Sequence, residues 1–352
     1  FHPVRLLMNI LGLGAALAIL INGSFWMDVI DFMIQRQFYE MSRSDLTVQL
    51  TDPRSDRALV EMSKIPGVQM VEGERSLAVR FQYKNFSKQV AMLGIPEAPV
   101  LRRVIDQSGK LVSPVRGGVL MSRYFETHFA LKTGDLVSFT TLERESRYFQ
   151  ATVLGFVDDM MGQTVYVAKN DLHRWLKEPV ISNTILLKID EGTANKVYVE
   201  LKERPQVAAV TVQSLLLRSF GETVADMVLT LTTVLVIFAV AISGAVMYNA
   251  SRVSFSERGW ELASLQILGF SAWNSFELLF LDVGFQMLFS ILPGIFIGYS
   301  LCLLSTSMIH SDTMKFPLVI DASTYAGAVI VVLVSFLISS FYLYRKVQRL
   351  DI

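Results

Sequence analysis

The sequence predicts an α-helical membrane protein with four transmembrane helices plus an α+β extracytoplasmic domain inserted between the first and second helices. Three observations lead there. Of 352 residues, 52% are hydrophobic and 18% charged, and the mean hydropathy of +0.42 is too high for a water-soluble chain of this length. The uncharged residues gather in four runs, Leu6 to Met27, Met227 to Met247, Val283 to Ile309 and Ala322 to Tyr344. Between the first two runs, Asp28 to Asp226 is a charged, mixed segment long enough for one sizeable domain or two lobes.

Taken in order, Leu6 to Met27 follows Arg5 and reaches about 33 Å as a helix, enough to cross a hydrocarbon core of roughly 30 Å. A secretory signal peptide competes for this run. The absence of a small-x-small cleavage site argues against it, as does a helical pattern that does not stop. Trp26, Val29, Ile30, Met33, Ile34 and Phe38 recur at spacings of three and four, with Asp28, Asp31, Gln35 and Arg36 between them. The span therefore continues into an amphipathic stalk.

In the inserted segment, alternation predicts strands at Leu46–Leu50, Leu77–Tyr83 and Gln89–Leu93, with a helix over Ser55–Ile65. Further strands are expected near Val119, at Leu136–Thr141 and at Phe149–Phe156. Turns are signalled by Arg116-Gly117-Gly118 and Thr133-Gly134-Asp135. The last section repeats the first in outline, with a strand at Thr184–Ile189, a helix from Ala194 to Arg204 and a strand at Ala208–Val212. Lys202, Pro205, Val207 and Val210 echo Lys64, Pro66, Val68 and Val71. The expected architecture is two strand-helix-strand units enclosing a small β-rich insert.

A second stalk, Leu215, Leu216, Phe220, Val224 and Met227, returns the chain to the second span. In the third run, Pro293 with Gly294 and Gly298 is expected to kink or break the helix. Asp282 is expected at the interface beside that run, since a charge at a span's centre costs about 2.5 to 3.5 kcal/mol. The resulting division is 1–40 for the first span and stalk, 41–214 for the two-lobed domain and 215–248 for the second stalk and span. A cytoplasmic loop over 249–274, the third span over 275–309, a short outer loop over 310–321 and the last span with its tail over 322–352 complete it.

Basic residues orient the spans. Arg5, Arg252, Arg258, Arg345, Lys346 and Arg349 fall on one side, against Lys315 in the opposite short loop, so both termini are expected in the cytoplasm of a cell-membrane protein. With 32 basic and 32 acidic residues the net charge is zero, and no nucleic-acid partner is indicated.

The motifs of catalysis are missing from the sequence. Ser108-Gly109-Lys110-Leu111 lacks the spacing and terminal hydroxyl of a phosphate loop. His2, His128, His173 and His310 are scattered and expected at surfaces or interfaces, and no metal site is expected. No serine sits in a nucleophile elbow. Asp158-Asp159 before Met160 and Met161 reads as a loop, and Cys302 as a packing residue without a disulfide partner. No catalytic residue and no cofactor is assigned to the chain.

The remaining signal lies between the second and third runs. Ser254 with Glu257 has the form of a capping box, Gly269 is a helix stop, and Trp260, Ala263 and Ile267 share a face opposite Glu257, Glu261 and Ser264. The spacing predicts a short helix across the membrane face, suited to docking or to lying in the lipid interface.

The stretch Glu257-Arg258-Gly259-Trp260-Glu261-Leu262-Ala263-Ser264-Leu265-Gln266-Ile267-Leu268-Gly269 resembles the loop after the second span of FtsX-like permeases, the MacB and lipoprotein-releasing group of ABC transporters. Glu257, Arg258, Glu261, Ala263, Leu265, Leu268 and Gly269 match; Trp260 and Gln266 stand where that family often has basic residues. In the family this loop carries the coupling helix. The resemblance thus implies that Glu257, Arg258, Trp260, Glu261, Leu262, Leu265, Leu268 and Gly269 meet a cytosolic ABC ATPase subunit, where ATP and Mg would be bound. It also implies a second permease half or copy, and room for an extracytoplasmic adaptor or substrate protein. Because Phe1 precedes a span without an initiator methionine, the C-terminal half of a longer fused permease is expected. The competing expectation is a membrane-anchored sensor or scaffold with an extracytoplasmic binding domain and no ATPase.

Overall fold

The computed structural model describes residues 3–106, 109–114, 116–143, 145–160, 163–267, 272–309 and 316–348. His2, Ser108, Met161, His310, Lys315 and Arg349 lie outside them. The chain divides into two compact units, one of residues 1–32, 223–310 and 316–352 and another of residues 33–222 with 311–315.

In the first unit the long apolar runs form helices. α1 (Pro3–Ile34), α6 (Gln213–Ile267), α7 (Ala272–Met308) and α8 (Ala322–Gln348) each contain a stretch long and apolar enough to cross a membrane. Small residues set the packing of α1, as expected where lipid and side chains are equally apolar. A Cβ on Gly14 would sit 3.3 Å from the Gly294 amide nitrogen, and one on Gly298 would sit 3.3 Å from Ala18 Cα. Polar side chains tie the same contacts. Asn9 Nδ2 donates to Gln286 Oε1 at 3.0 Å, Ser305 Oγ to Asn22 Oδ1 at 3.0 Å, and Thr232 Oγ1 to the Gly23 carbonyl at 3.1 Å. Asp28 on α1 caps α8 from outside, its Oδ2 accepting from the Asp321 amide at 2.9 Å and from Thr324 Oγ1 at 2.6 Å.

α7 corrects half of one expectation: the helix does not break at Pro293, and Gly294 and Gly298 lie at its approach to α1. Cys302 is buried and free, in keeping with a packing role.

The second unit is built around one long strand. β1 (Leu46–Ser55), α2 (Arg57–Ser63) and β2 (Val68–Tyr83) form the first strand-helix-strand unit; β8 (Ile181–Ile189), α5 (Ala194–Lys202) and β9 (Val207–Val212) form the second. Their strands pair antiparallel in the order β2-β8-β1-β9, with Val71 opposite Leu187 and Leu46 opposite both Leu187 and Val212. This is a split β-α-β arrangement. Leu46, Val48, Met62, Ile185, Leu187, Val197 and Leu201 fill the space between its sheet and the two helices.

Past Glu74, β2 leaves β8 and enters a second lobe with β3 (Phe86–Ile95), β4 (Gly118–Ser122), β5 (Leu136–Thr141), β6 (Tyr148–Val157) and β7 (Thr164–Ala168). The order β2-β3-β7-β4-β6-β5 returns to β2, so this lobe closes into a six-stranded barrel. Closure removes its sheet edges. Inward alternation places Phe81, Phe139 and Val153 in the lumen, joined by Phe125 of α3 (Arg123–Phe129) and Leu172 of α4 (Lys169–Leu176), all fully buried. The Phe81 and Phe125 rings meet edge-on with centroids 5.1 Å apart. Gly117 and Gly134, with φ of 94° and 96°, make the turns their sequence signals.

Candidate functional site

The elements that carry chain into and out of the second unit converge on one joint. α1 passes into a π-helical stretch, Gln35–Met41, and then into β1; β9 runs directly into α6, with Val212 ending the strand and Gln213 starting the helix. Because β1 and β9 are paired neighbours, both connections start side by side. The Gln213 amide donates to the Asp45 carbonyl at 2.9 Å, and the Asp45 amide to the Leu187 carbonyl at 2.8 Å. The Asp45 carboxylate accepts from Lys188 Nζ at 2.8 Å and from the Ile189 amide at 2.9 Å. One residue thus links both connections to the centre of the sheet.

A strap over residues 100–106 holds the other side of the joint. The Arg43 amide donates to the Leu101 carbonyl at 2.8 Å and the Arg103 amide to the Met41 carbonyl at 2.7 Å. Arg36 donates to Glu40 at 2.6 Å and to the Asp106 carbonyl at 3.1 Å. The strap is itself seated on Glu72, whose carboxylate accepts from the amides of Val100, Leu101 and Arg102 at 2.8, 3.0 and 3.4 Å.

Beneath the strap lies a buried ionic cluster. Arg102 Nε donates to Glu74 Oε1 at 2.5 Å, and Tyr166 OH to Asp159 Oδ1 at 3.0 Å. Burial pushes Asp159 up to about 7, with the Tyr166 bond and Arg102 opposing it. Burial also raises Glu74 against the pull of Arg102, while Glu74 keeps the guanidinium charged. Glu74 Oε2 and Asp159 Oδ2 are buried without a hydrogen-bond partner. Asp158 and Asp159 lie in a loop, as the sequence suggests, and Asp159 is buried there because the loop folds back, the Asp158 amide donating to the Ile105 carbonyl at 3.1 Å.

His173 is a second correction. It is 3% exposed rather than at a surface, with Nδ1 3.0 Å from Glu178 Oε1. Glu178 also accepts from Arg75 Nε at 3.1 Å, and Arg75 Nη2 donates to Glu143 at 2.7 Å. Burial lowers the imidazole's proton affinity, partly offset by Glu178. His128, by contrast, is exposed and stacks on Tyr124.

A cleft of about 840 Å³ opens at the joint, lined by Phe38, Tyr39, Arg43, Met70, Val100 and Leu217 among others. Its walls mix aromatic, aliphatic and charged groups. Among the described residues, no group of His, Cys, Asp and Glu is placed to hold a metal. The joint is held by backbone hydrogen bonds donated by Arg43, Asp45, Arg103 and Gln213.

The segment singled out in the sequence is helical but not a separate helix. α6 is continuous from Gln213 to Ile267, so Ser254 lies in a helix interior and does not cap an N-terminus. An N-cap residue itself leaves helical geometry, whereas Ser254 is helical and Tyr248 to Val253 before it contains neither glycine nor proline. The backbone carries Glu257, Arg258, Trp260, Glu261, Leu262 and Leu265 within this helix; their side chains, with Leu268 and Gly269 altogether, lie outside what is described.

Sequence reasoning missed the joint. Glu72 and Glu74 precede the strand expected at Leu77–Tyr83, and the residues they bind, Val100 to Arg102, are distant in sequence. The one available signal was the acid-rich start of a strand followed at Arg102-Arg103 by paired bases.

Residues 233–352 match the FtsX-like permease C-terminal family. Comparison with curated protein sequences gives no match. Among solved structures, the periplasmic region of MacB from Actinobacillus actinomycetemcomitans is similar at 14% identity and a TM-score of 0.34, covering 53% of this chain and 97% of that one. The extracellular domain of the noncanonic ABC-type transporter YknZ from Gram-positive bacteria is similar at 12% identity and a TM-score of 0.33, covering 44% and 88%. A lipoprotein of Bacillus anthracis gives 8% identity and a TM-score of 0.22, covering 48% and 97%.

Proposed function

We propose that this chain, whose residues 233–352 match the FtsX-like permease C-terminal family, is the transmembrane subunit of an ABC system and converts the motion of a cytosolic ATPase into movement of its β-rich domain. The observation that carries the reading is the extent of the family match, which takes in the end of α6 together with α7 and α8. In this reading ATP and Mg are bound by the partner, and the chain hydrolyses nothing itself. A second permease copy or half completes the bundle, and an extracytoplasmic adaptor or substrate protein meets the outer domain.

The physical requirement is a stiff connection. Helices transmit displacement because their backbone hydrogen bonds are satisfied internally, whereas a loop absorbs it. What supports the reading is α6, one helix that begins at the joint and includes Glu257 to Leu265, the candidate handle for the ATPase.

The test is copurification with the candidate ATPase from membranes. Glu261→Arg and Leu265→Asp are each expected to weaken the complex and the ATP-dependent function while leaving the chain in the membrane. Undiminished complex formation in both would remove the coupling assignment. Orientation is tested separately by cysteines at Trp260 and Val100, expected to label from the cytoplasm and from outside, respectively. Val100 is exposed in the domain, which makes it a usable reporter. Labelling of both from one side would overturn the topology.

A further inference from the structure

Four neighbouring antiparallel strands of the barrel, in the order β3-β2-β5-β6, turn one face outward. Their register sets eight outward side chains in two rows. One row runs Gln89, Arg80, Thr140, Tyr148; the next runs Ser87, Gln82, Ser138, Gln150. Neighbouring strands lie about 4.8 Å apart, so each row spans roughly 14 Å, with the rows about 7 Å apart.

The outer face of a half-buried sheet is ordinarily polar, and solvation alone explains polarity. It does not explain this selection. The eight positions hold amides, hydroxyls and one guanidinium, and no carboxylate. The acids on the flanking turns are already engaged: Asp135 by Tyr83 OH and the Lys132 amide, Glu143 by Arg75, and Glu145 by Arg147. Part of the face is organised in advance. Gln150 Nε2 donates to Tyr148 OH at 2.7 Å and to Ser138 Oγ at 3.3 Å, and Ser138 Oγ lies 3.0 Å from Tyr148 OH. Tyr148 is 61% exposed, so its ring remains available on the surface. Such a group presents an apolar ring beside donors and acceptors at low cost in side-chain ordering.

We propose that this face binds a neutral glycan chain. A sugar presents alternating hydroxyl donors and acceptors around a ring whose C–H face packs on an aromatic side chain, and the two rows offer the complement of both. Charge argues for the neutral ligand: a polyanion would call for several cations and a cationic ligand for free carboxylates, whereas the face carries one guanidinium, Arg80, and none of the latter. The inference is independent of the coupling reading and survives its failure.

The experiment is isothermal titration of the full chain in lipid nanodiscs, so that no glycoside detergent competes, with chitohexaose and maltohexaose as probes. Saturable binding of one or both is expected, weakened about tenfold or more in Tyr148→Ala and in Gln150→Glu, and unchanged in Lys202→Ala on the other lobe. Both tested residues are exposed, so thermal unfolding should not move; should Tyr148→Ala fail to fold, Gln150→Glu decides. The proposal is overturned if neither probe binds, or if folded Gln150→Glu binds as wild type does. It is overturned equally if heparin binds more tightly than either neutral probe in a salt-sensitive way, which would mark an anion surface instead.

Discussion

The amide of Gln213 donates to the carbonyl of Asp45 at 2.9 Å, joining the first residue of α6 to the residue that precedes β1. This single backbone bond ties the segment entering the β-rich unit to the one leaving it. The Asp45 carboxylate extends the link to Lys188 and Ile189 of β8.

Asp45→Ala should loosen that joint. The substitution leaves the Ile189 amide without its acceptor and Lys188 without its partner. The ion pair is about a third to two-fifths exposed and contributes little by itself; the amide bond carries most of the effect, so a loss of about 1–2 kcal/mol is expected. Lys188→Met, which removes only the exposed pair, should cost less than about 0.5 kcal/mol. Denaturant unfolding of the full chain in detergent compares them, and equal losses in the two variants would contradict this division.

Asp159 makes stability depend on pH with a definite sign. Its folded carboxyl is raised from 3.8 to about 7 by burial, so the folded state holds the proton that the unfolded state releases. The stabilisation is complete below about pH 4 and is lost as pH rises through 7. Asp159→Asn keeps a neutral group beside Tyr166 and should flatten this dependence, gaining on wild type above pH 7 and converging with it near pH 4. Melting curves of the two proteins between pH 4 and 8 check it; parallel curves across that range would mean Asp159 is not the group responsible.

How far the fold could be read in advance follows from where the determining contacts lie. β1, β3, β5 and β6 alternate cleanly because each has one face on a local core, and the two strand-helix-strand units carry their own proline and glycine punctuation. β2 starts at Val68 rather than Leu77, because Glu72 and Gly73 interrupt the apolar pattern where the strand is buried under a strap from elsewhere. β7, the short run Thr164–Ala168, does not alternate since nearly all of it is buried. Closure of the barrel, by contrast, depends on β2 pairing with both β3 and β5, which no local pattern encodes. The joint was illegible for the same reason: Asp45, Lys188 and Gln213 are far apart in sequence. At the candidate coupling segment, local signals misled, since Ser254 and Glu257 mimic a cap within a helix that continues.

Gly294 gives the last prediction, in the helical unit. A Cβ there would lie 2.7 Å from Leu17 Cδ2, 3.0 Å from Leu17 Cβ and 3.1 Å from the Gly14 carbonyl oxygen. Leu17 can rotate its terminal methyl away, but its Cβ and the backbone oxygen of α1 can yield only if the helices separate. Gly294→Ala should therefore destabilise the bundle, and Gly294→Val more so, by about 1–3 kcal/mol for overpacking. Gly327 on α8 has nothing within 4 Å of its Cβ position, so Gly327→Ala should be neutral or slightly stabilising. The fraction remaining monodisperse by gel filtration after graded heating in detergent ranks the variants. Gly294→Val surviving as well as Gly327→Ala would show that α1 and α7 do not approach through these glycines.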